Sequence, residues 1–141
     1  MSIYAESSAV LAWLLGEPPA RQVREALAEA EVVLSSDLTL VECERVLIRA
    51  VANSRMTEAT AADRRAMLVR AAQHWAVLTL SEEIIRRARR PFPDEPIRTL
   101  DALHLSAALR ARSLVAQTRL LSLDGRIRSC GRAIGFEVIP E

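Results

Sequence analysis

The chain contains no lysine. Its 19 basic residues are all arginines, against 18 acidic residues and a net charge of +1. So even a balance excludes a protein that holds nucleic acid by bulk charge alone. Arginine forks suit phosphate and carboxylate, but a genome-wide codon bias removes lysine equally well. Cysteine is nearly absent too. Cys43 and Cys130 stand far apart, neither in a Cys-x-x-Cys nor in a Cys/His cluster. That rules out a disulfide scaffold, argues against a zinc site and leaves buried thiols as the simplest reading. No apolar run approaches the roughly 18–20 residues of a membrane span. The run Ala9–Leu15 is too short, and it lacks the basic region and cleavage site of a signal peptide. A soluble, cytoplasmic protein is expected. No glycine-rich phosphate loop is present, which sets aside nucleoside triphosphatases. His74 and His104 are isolated, with no serine elbow or Cys/His pairing.

What is present is a dense alternation of short apolar runs and amphipathic stretches. The chain has 141 residues, half of them apolar, enough for one domain, 1–141, with its own core. Ser2–Ala5 reads as a strand and Ser8–Leu15 as a short helix closed by Gly16. Pro18-Pro19 punctuate, and Val23, Ala26, Leu27 and Ala30 give a helix its stripe. Val32–Ser35 is apolar on both faces, as parallel strands are. Ser36 or Asp37 caps a helix with the stripe Leu40, Cys43, Leu47 and Ala50, ended by Asn53-Ser54. Thr57 opens another, with Ala61, Met67, Leu68 and Ala71 inward up to Trp75. Ala76–Leu80 is a third strand, and Ser81 caps a helix running into Arg86-Arg87-Ala88-Arg89-Arg90. That basic run reads either as a phosphate-contacting edge or as the solvated end of a helix, where positive charge suits the dipole. After a loop with Pro91, Pro93 and Pro96 come a helix over about Leu100–Ala111, a strand Thr118–Leu123, a helix Gly125–Ala133 and a last strand Phe136–Ile139. The pattern predicts an α/β fold, with a mostly parallel central sheet of about 4–5 strands flanked by helices.

Four carboxylates stand out by position. Glu6 directly follows the first strand, between two apolar runs. Asp124 directly follows the fourth strand in LLSLDG. Asp101 opens a helix in RTLDALHL, and Glu42 lies about one turn into the helix after the second strand. In an open α/β sheet, ligands gather at the carboxyl ends of the strands. Each acid also has a structural reading. Asp101 suits a helix dipole, Asp124 before Gly125 suits a turn, and Glu42 can pair with Arg45. Glu6 resists such a reading, because Ser7-Ser8 would cap the helix without it. Four acids at one sheet edge repel each other unless a cation compensates. Oxygen ligands select Mg²⁺ or Mn²⁺, whose chemistry suits phosphodiester hydrolysis. His104, one turn beyond Asp101, reads as an ordinary helix histidine that can reach Asp101.

These stretches resemble PIN domains, and among them the VapC-like toxin ribonucleases of bacterial toxin–antitoxin pairs. IYAESSAVLAWLLGE is similar to the family's strand, acid, serine and apolar helix. SSDLTLVECERVL resembles its second acidic motif, RTLDALHLSAAL its third, and LLSLDGRIRSCGRAIGFEVIPE its closing strand, acid and helix. The resemblance runs nearly end to end. It implies a metal-dependent endoribonuclease whose cluster is Glu6, Glu42, Asp101 and Asp124. Of these, Glu6, Asp101 and Asp124 hold Mg²⁺ or Mn²⁺, and Ser8 and Ser122 give hydrogen-bonding support. It further implies an RNA substrate, a small antitoxin that blocks the site, a homodimer, and contact with promoter DNA through the antitoxin alone. The family's first acid is usually aspartate. Here it is Glu6, one methylene longer, which carries its carboxylate outward by about 1.5 Å. That change opens a second reading, a non-catalytic PIN-like module that binds RNA or protein with a weakened metal site.

Overall fold

A computed structural model of the chain describes residues 1–141. Five strands, β1 (Ser2–Ala5), β2 (Val32–Ser36), β3 (Ala76–Leu78), β4 (Arg119–Leu121) and β5 (Val138–Ile139), form one sheet in the order β3-β2-β1-β4-β5. Every pairing is parallel. The helices are α1 (Ser7–Leu15), α2 (Ala20–Glu29), α3 (Asp37–Ala52), α4 (Glu58–Ala72), α5 (Glu82–Ala88), α6 (Thr99–Leu114) and α7 (Gly125–Ala133). No helix is long and apolar enough to cross a membrane.

Strand alternation divides the core in two. Ile3 and Ala5 point to one face with Val33 and Leu121, and pack with Val10, Leu14, Cys43 and Leu68. Tyr4 points to the other with Leu34 and Leu120, against Leu105, Ala108, Ile127 and Phe136. α1 to α4 therefore cover one side and α5 to α7 the other, so the buried strands are apolar on both faces, as parallel sheets require.

Local chemistry sets most element boundaries. Gly16 takes a left-handed conformation (φ 68°) and its N–H caps the carbonyls of Ala12 and Trp13. Ser36 caps α3, Thr57 caps α4 and Ser81 caps α5, each accepting the N–H three residues on. The differences from expectation lie at ends. β3, β4 and β5 are shorter than predicted, because ladder pairing covers only Ala76–Leu78, Arg119–Leu121 and Val138–Ile139. α6 begins at Thr99 and runs to Leu114, beyond the predicted Ala111.

Candidate functional site

The chain runs from β1 out to β2 and β3 on one side, then returns to β4 on the other side of β1. The order thus reverses between β1 and β4, where an open sheet leaves a crevice at its carboxyl edge. Ala5 is in register with Leu121, so the next residues on each strand, Glu6 and Ser122, face each other across that crevice. α6 brings Asp101 in its first turn, and α3 brings Glu42. All four predicted acids line one cleft of about 490 Å³, with Ser7, Ser8, Arg98 and His104. A hollow of about 570 Å³ at the opposite, amino end of the strands has no comparable set. Its Glu31 and Glu137 already pair with the Met1 amino group and Arg119.

Glu6 is 2 % exposed, and three hydroxyls satisfy it. Ser7 donates to Oε1 at 2.9 Å, Ser122 donates to Oε2 at 2.8 Å, and Ser8 donates to Oε2 as well. The expectation that Ser7-Ser8 cap α1 is corrected. Glu6 occupies the cap position without a side-chain cap bond, and both serine hydroxyls turn to its carboxylate. A buried carboxylate with no partner is expensive; three charge-assisted bonds offset that cost. Ser8 Oγ also accepts the N–H groups of Leu123 at 2.9 Å and Asp124 at 3.1 Å, and Ser122 Oγ accepts that of Asp124 at 3.2 Å. Ser8 and Ser122 thus tie the turn carrying Asp124 to the end of β1.

Asp124 fulfils its structural reading as well. Its Oδ1 accepts the N–H groups of Arg126 and Ile127, both at 3.0 Å, and caps α7. Its other oxygen, Oδ2, takes part in neither bond, and Asp124 lines the cleft. Asp101 is half-buried, and its carboxyl is pushed above its ordinary range, first by burial and then by the negative charge of Asp124, with a smaller push from Glu6. Burial leads the shift, and the part that comes from Asp124 and Glu6 is the repulsion of acids gathered in one place.

Glu42 does not pair with Arg45. It turns inward to His104 Nε2, which lies within hydrogen-bonding distance of Glu42 Oε1, and to the Ser7 hydroxyl at 3.0 Å. The His104 hydrogen bond is the main influence holding Glu42 below the usual carboxylate range; burial opposes it. A carboxylate only accepts, so His104 Nε2 carries the hydrogen of that bond. Its Nδ1 is buried with no partner. Ser7 has one proton for two carboxylates, Glu6 and Glu42, and lies 3.3 Å from His104 Nε2. Sequence reasoning treated Ser7 as a helix cap and His104 as an ordinary helix residue. His104 does not turn to Asp101 but to Glu42. The available signal was spacing: His104 falls on the face of α6 that meets α3, and Ser7 is adjacent to Glu6.

No group of three or more His, Cys, Asp and Glu side chains is already arranged to hold a metal ion. The four carboxylates nonetheless fit a hard divalent cation, since they are all oxygen donors, like-charged, and include an acid that burial and then its neighbours discourage from ionising. The fit is one of donor chemistry rather than of ready geometry. Cys43 and Cys130 are buried and free, and burial pushes the Cys43 thiol up to about 12, so neither is a reactive thiolate.

The model of the PIN domain family matches residues 3–132. The chain belongs to the PIN-domain family. Ribonuclease VapC46 of Mycobacterium tuberculosis is 31% identical over 138 residues, 98% of this chain and 96% of that protein, which sets the chain among the VapC-type members. Ribonuclease VapC35 of the same species is also 31% identical, over 58 residues. The crystal structure of Mycobacterium tuberculosis VapC20, a Sarcin-Ricin loop cleaving toxin, superposes with a TM-score of 0.65 at 19% identity, covering 95% of each chain. VapBC2 from Rickettsia felis, bound to a DNA fragment from its promoter, gives 0.66 at 12% identity over 99% of this chain and 98% of that one. These structures share the PIN fold described above.

Proposed function

We propose that this PIN-domain protein is a Mg²⁺- or Mn²⁺-dependent endoribonuclease that acts as the toxin of a toxin–antitoxin pair in the cytoplasm. The observation that carries the reading is the meeting of Glu6, Glu42, Asp101 and Asp124 in one cleft at the strand-order reversal. Glu6, Asp101 and Asp124 would hold the ion, which supplies a hydroxide-generating and leaving-oxygen-stabilising charge when bound. The chain's own groups do the positioning. Ser8 and Ser122 lock Glu6, and His104 with Ser7 orients Glu42. Glu42 then holds the ion through a water or orients the water that attacks in line on the phosphate. The antitoxin partner, a homodimer, and contact with promoter DNA through the antitoxin belong to the same proposal, supported by the VapC likeness.

Asp101→Asn is expected to abolish RNA cleavage and the growth arrest caused by expression, with the fold intact by circular dichroism. A variant as toxic as the unaltered protein refutes the reading. One observation favours the non-catalytic module: Glu6 has its oxygens bonded by three hydroxyls, and no three ligands converge. Titration with Mn²⁺ separates the two. Ion binding with RNA cleavage supports the nuclease; neither, with RNA or protein binding retained, supports the module.

A further inference from the structure

The carboxylate cleft does not end at α6. A second hollow, of about 480 Å³, lies between α5 and the segment that leads into α6, and it shares two wall residues, Arg98 and Thr99, with the cleft. Arg98 is the one arginine lining the cleft. Arg89 lines the second hollow beside Ile85, Ala88 and Leu103. The arginine run is thus divided by helix geometry. Arg86, Arg87 and Arg90 face a separate groove on the other side of α5, and Arg86 and Arg87 are engaged there. Arg86 pairs with Glu82, and Arg87 donates to the carbonyls of Arg90 and Pro91 and lies over Phe92. Arg89 and Arg98 take part in no ion pair, and both are exposed.

We infer that the two hollows form one track for a single RNA strand, which passes from the carboxylate cleft over the start of α6 into the α5 hollow. Arg98 and Arg89 each bind a backbone phosphate along it. This rests on the ribonuclease reading for the occupant and adds the path of the substrate. Electrostatics requires such cations. Four carboxylates repel an incoming phosphodiester, and an ion held among them offsets that repulsion only at the reacting phosphate, so the neighbouring phosphates need charge of their own. The single carboxylate of the second hollow, Glu95, is committed to the N–H groups of Phe92 and Ile97, each at 2.9 Å. Ile85 and Leu100, 40 % and 48 % exposed, are large apolar side chains left uncovered beside the two arginines, and they offer surface to the faces of unpaired bases. Apolar contact with the faces of the bases carries no base-edge readout, so this contact is tolerant of sequence.

The test uses the full chain carrying Asp101→Asn, so that the probe survives, and a fluorescent single-stranded RNA of about 12 nucleotides. Affinity is read by anisotropy across a salt series. Replacing Arg89 and Arg98 together by Gln is expected to weaken binding and lower the slope of log K against log salt by about 1.4, roughly 0.7 for each phosphate contact. Replacing Arg86 and Arg90 together by Gln leaves the slope unchanged. Arg89→Lys with Arg98→Lys preserves the slope and so separates charge from any folding effect. An unchanged slope in the Arg89/Arg98 pair, an equal fall in both pairs, or no RNA binding overturns the track. Cleavage by the unaltered protein with Mn²⁺ is scored separately. Binding through the track without cleavage sinks the nuclease reading and keeps the track; cleavage with an unaltered slope does the reverse.

Discussion

Shortening Glu6 to aspartate, the family's usual residue, tests whether the hydroxyl cradle is built for glutamate. Retraction by one methylene withdraws the carboxylate by about 1.5 Å. Ser7 is its chain neighbour and can follow. Ser8 and Ser122 cannot, because their oxygens are pinned by the N–H groups of Leu123 and Asp124. The 2.8 Å bond from Ser122 would then stretch past about 3.5 Å, where it ceases to be one, and the Ser8 bond would go with it. Two charge-assisted bonds at about 1.5 kcal/mol each, with the lost methylene at about 0.8 kcal/mol, make Glu6→Asp destabilising by about 3–4 kcal/mol. For a domain of this size that is a fall in melting temperature of about 10 °C. Urea denaturation followed by circular dichroism, in the absence of divalent ions, measures it as a lower midpoint with an unchanged slope. The double variant with Ser122→Ala should lose less than the sum of the singles by about 1 kcal/mol or more, since both remove the same bond. A fall in melting temperature below about 3 °C, or additive losses, refutes the cradle.

Asp101→Asn should stabilise the protein at neutral pH even as it removes activity. The folded carboxyl sits above its ordinary range, so its ionisation costs stability at pH 7. The cost shrinks as pH falls through the raised value, and it disappears below the ordinary value near 3.8. The gain should be a few tenths to about 1 kcal/mol, water screening a half-exposed group. Urea midpoints for both proteins should converge between pH 7 and 4; a gain that does not change with pH counts against the repulsion argument. Ser36→Ala should cost about 2 kcal/mol, because the Ser36 hydroxyl both caps α3 and accepts the buried Tyr4 hydroxyl at 3.0 Å. A loss within 0.5 kcal/mol, about the size of an ordinary surface change, would show that neither bond matters.

Local rules decided much of what the chain alone determined. Ser36, Thr57 and Ser81 announce helix starts because their side chains compete for the next turn's N–H groups, and Gly16 announces an end because it accepts φ 68°. Continuous apolar runs such as Val32–Ser35 announce a parallel sheet covered on both faces. Placement after strands singled out Glu6 and Asp124, and placement near the start of the helices that follow singled out Asp101 and Glu42. Tertiary structure decided how those acids are held. The adjacency of β1 and β4, 116 residues apart at the Glu6–Ser122 bond, makes Ser122 a partner of Glu6. No sequence period encodes that pairing, because it is set by the strand order of the finished sheet. The docking of α6 against α3 likewise turned Glu42 from Arg45 to His104, and the rotation of α5 sent Arg89 to one hollow and Arg86 to another. A side chain's direction around a helix is legible in sequence; what it meets depends on which element packs there, and burial of the whole apolar surface decides that.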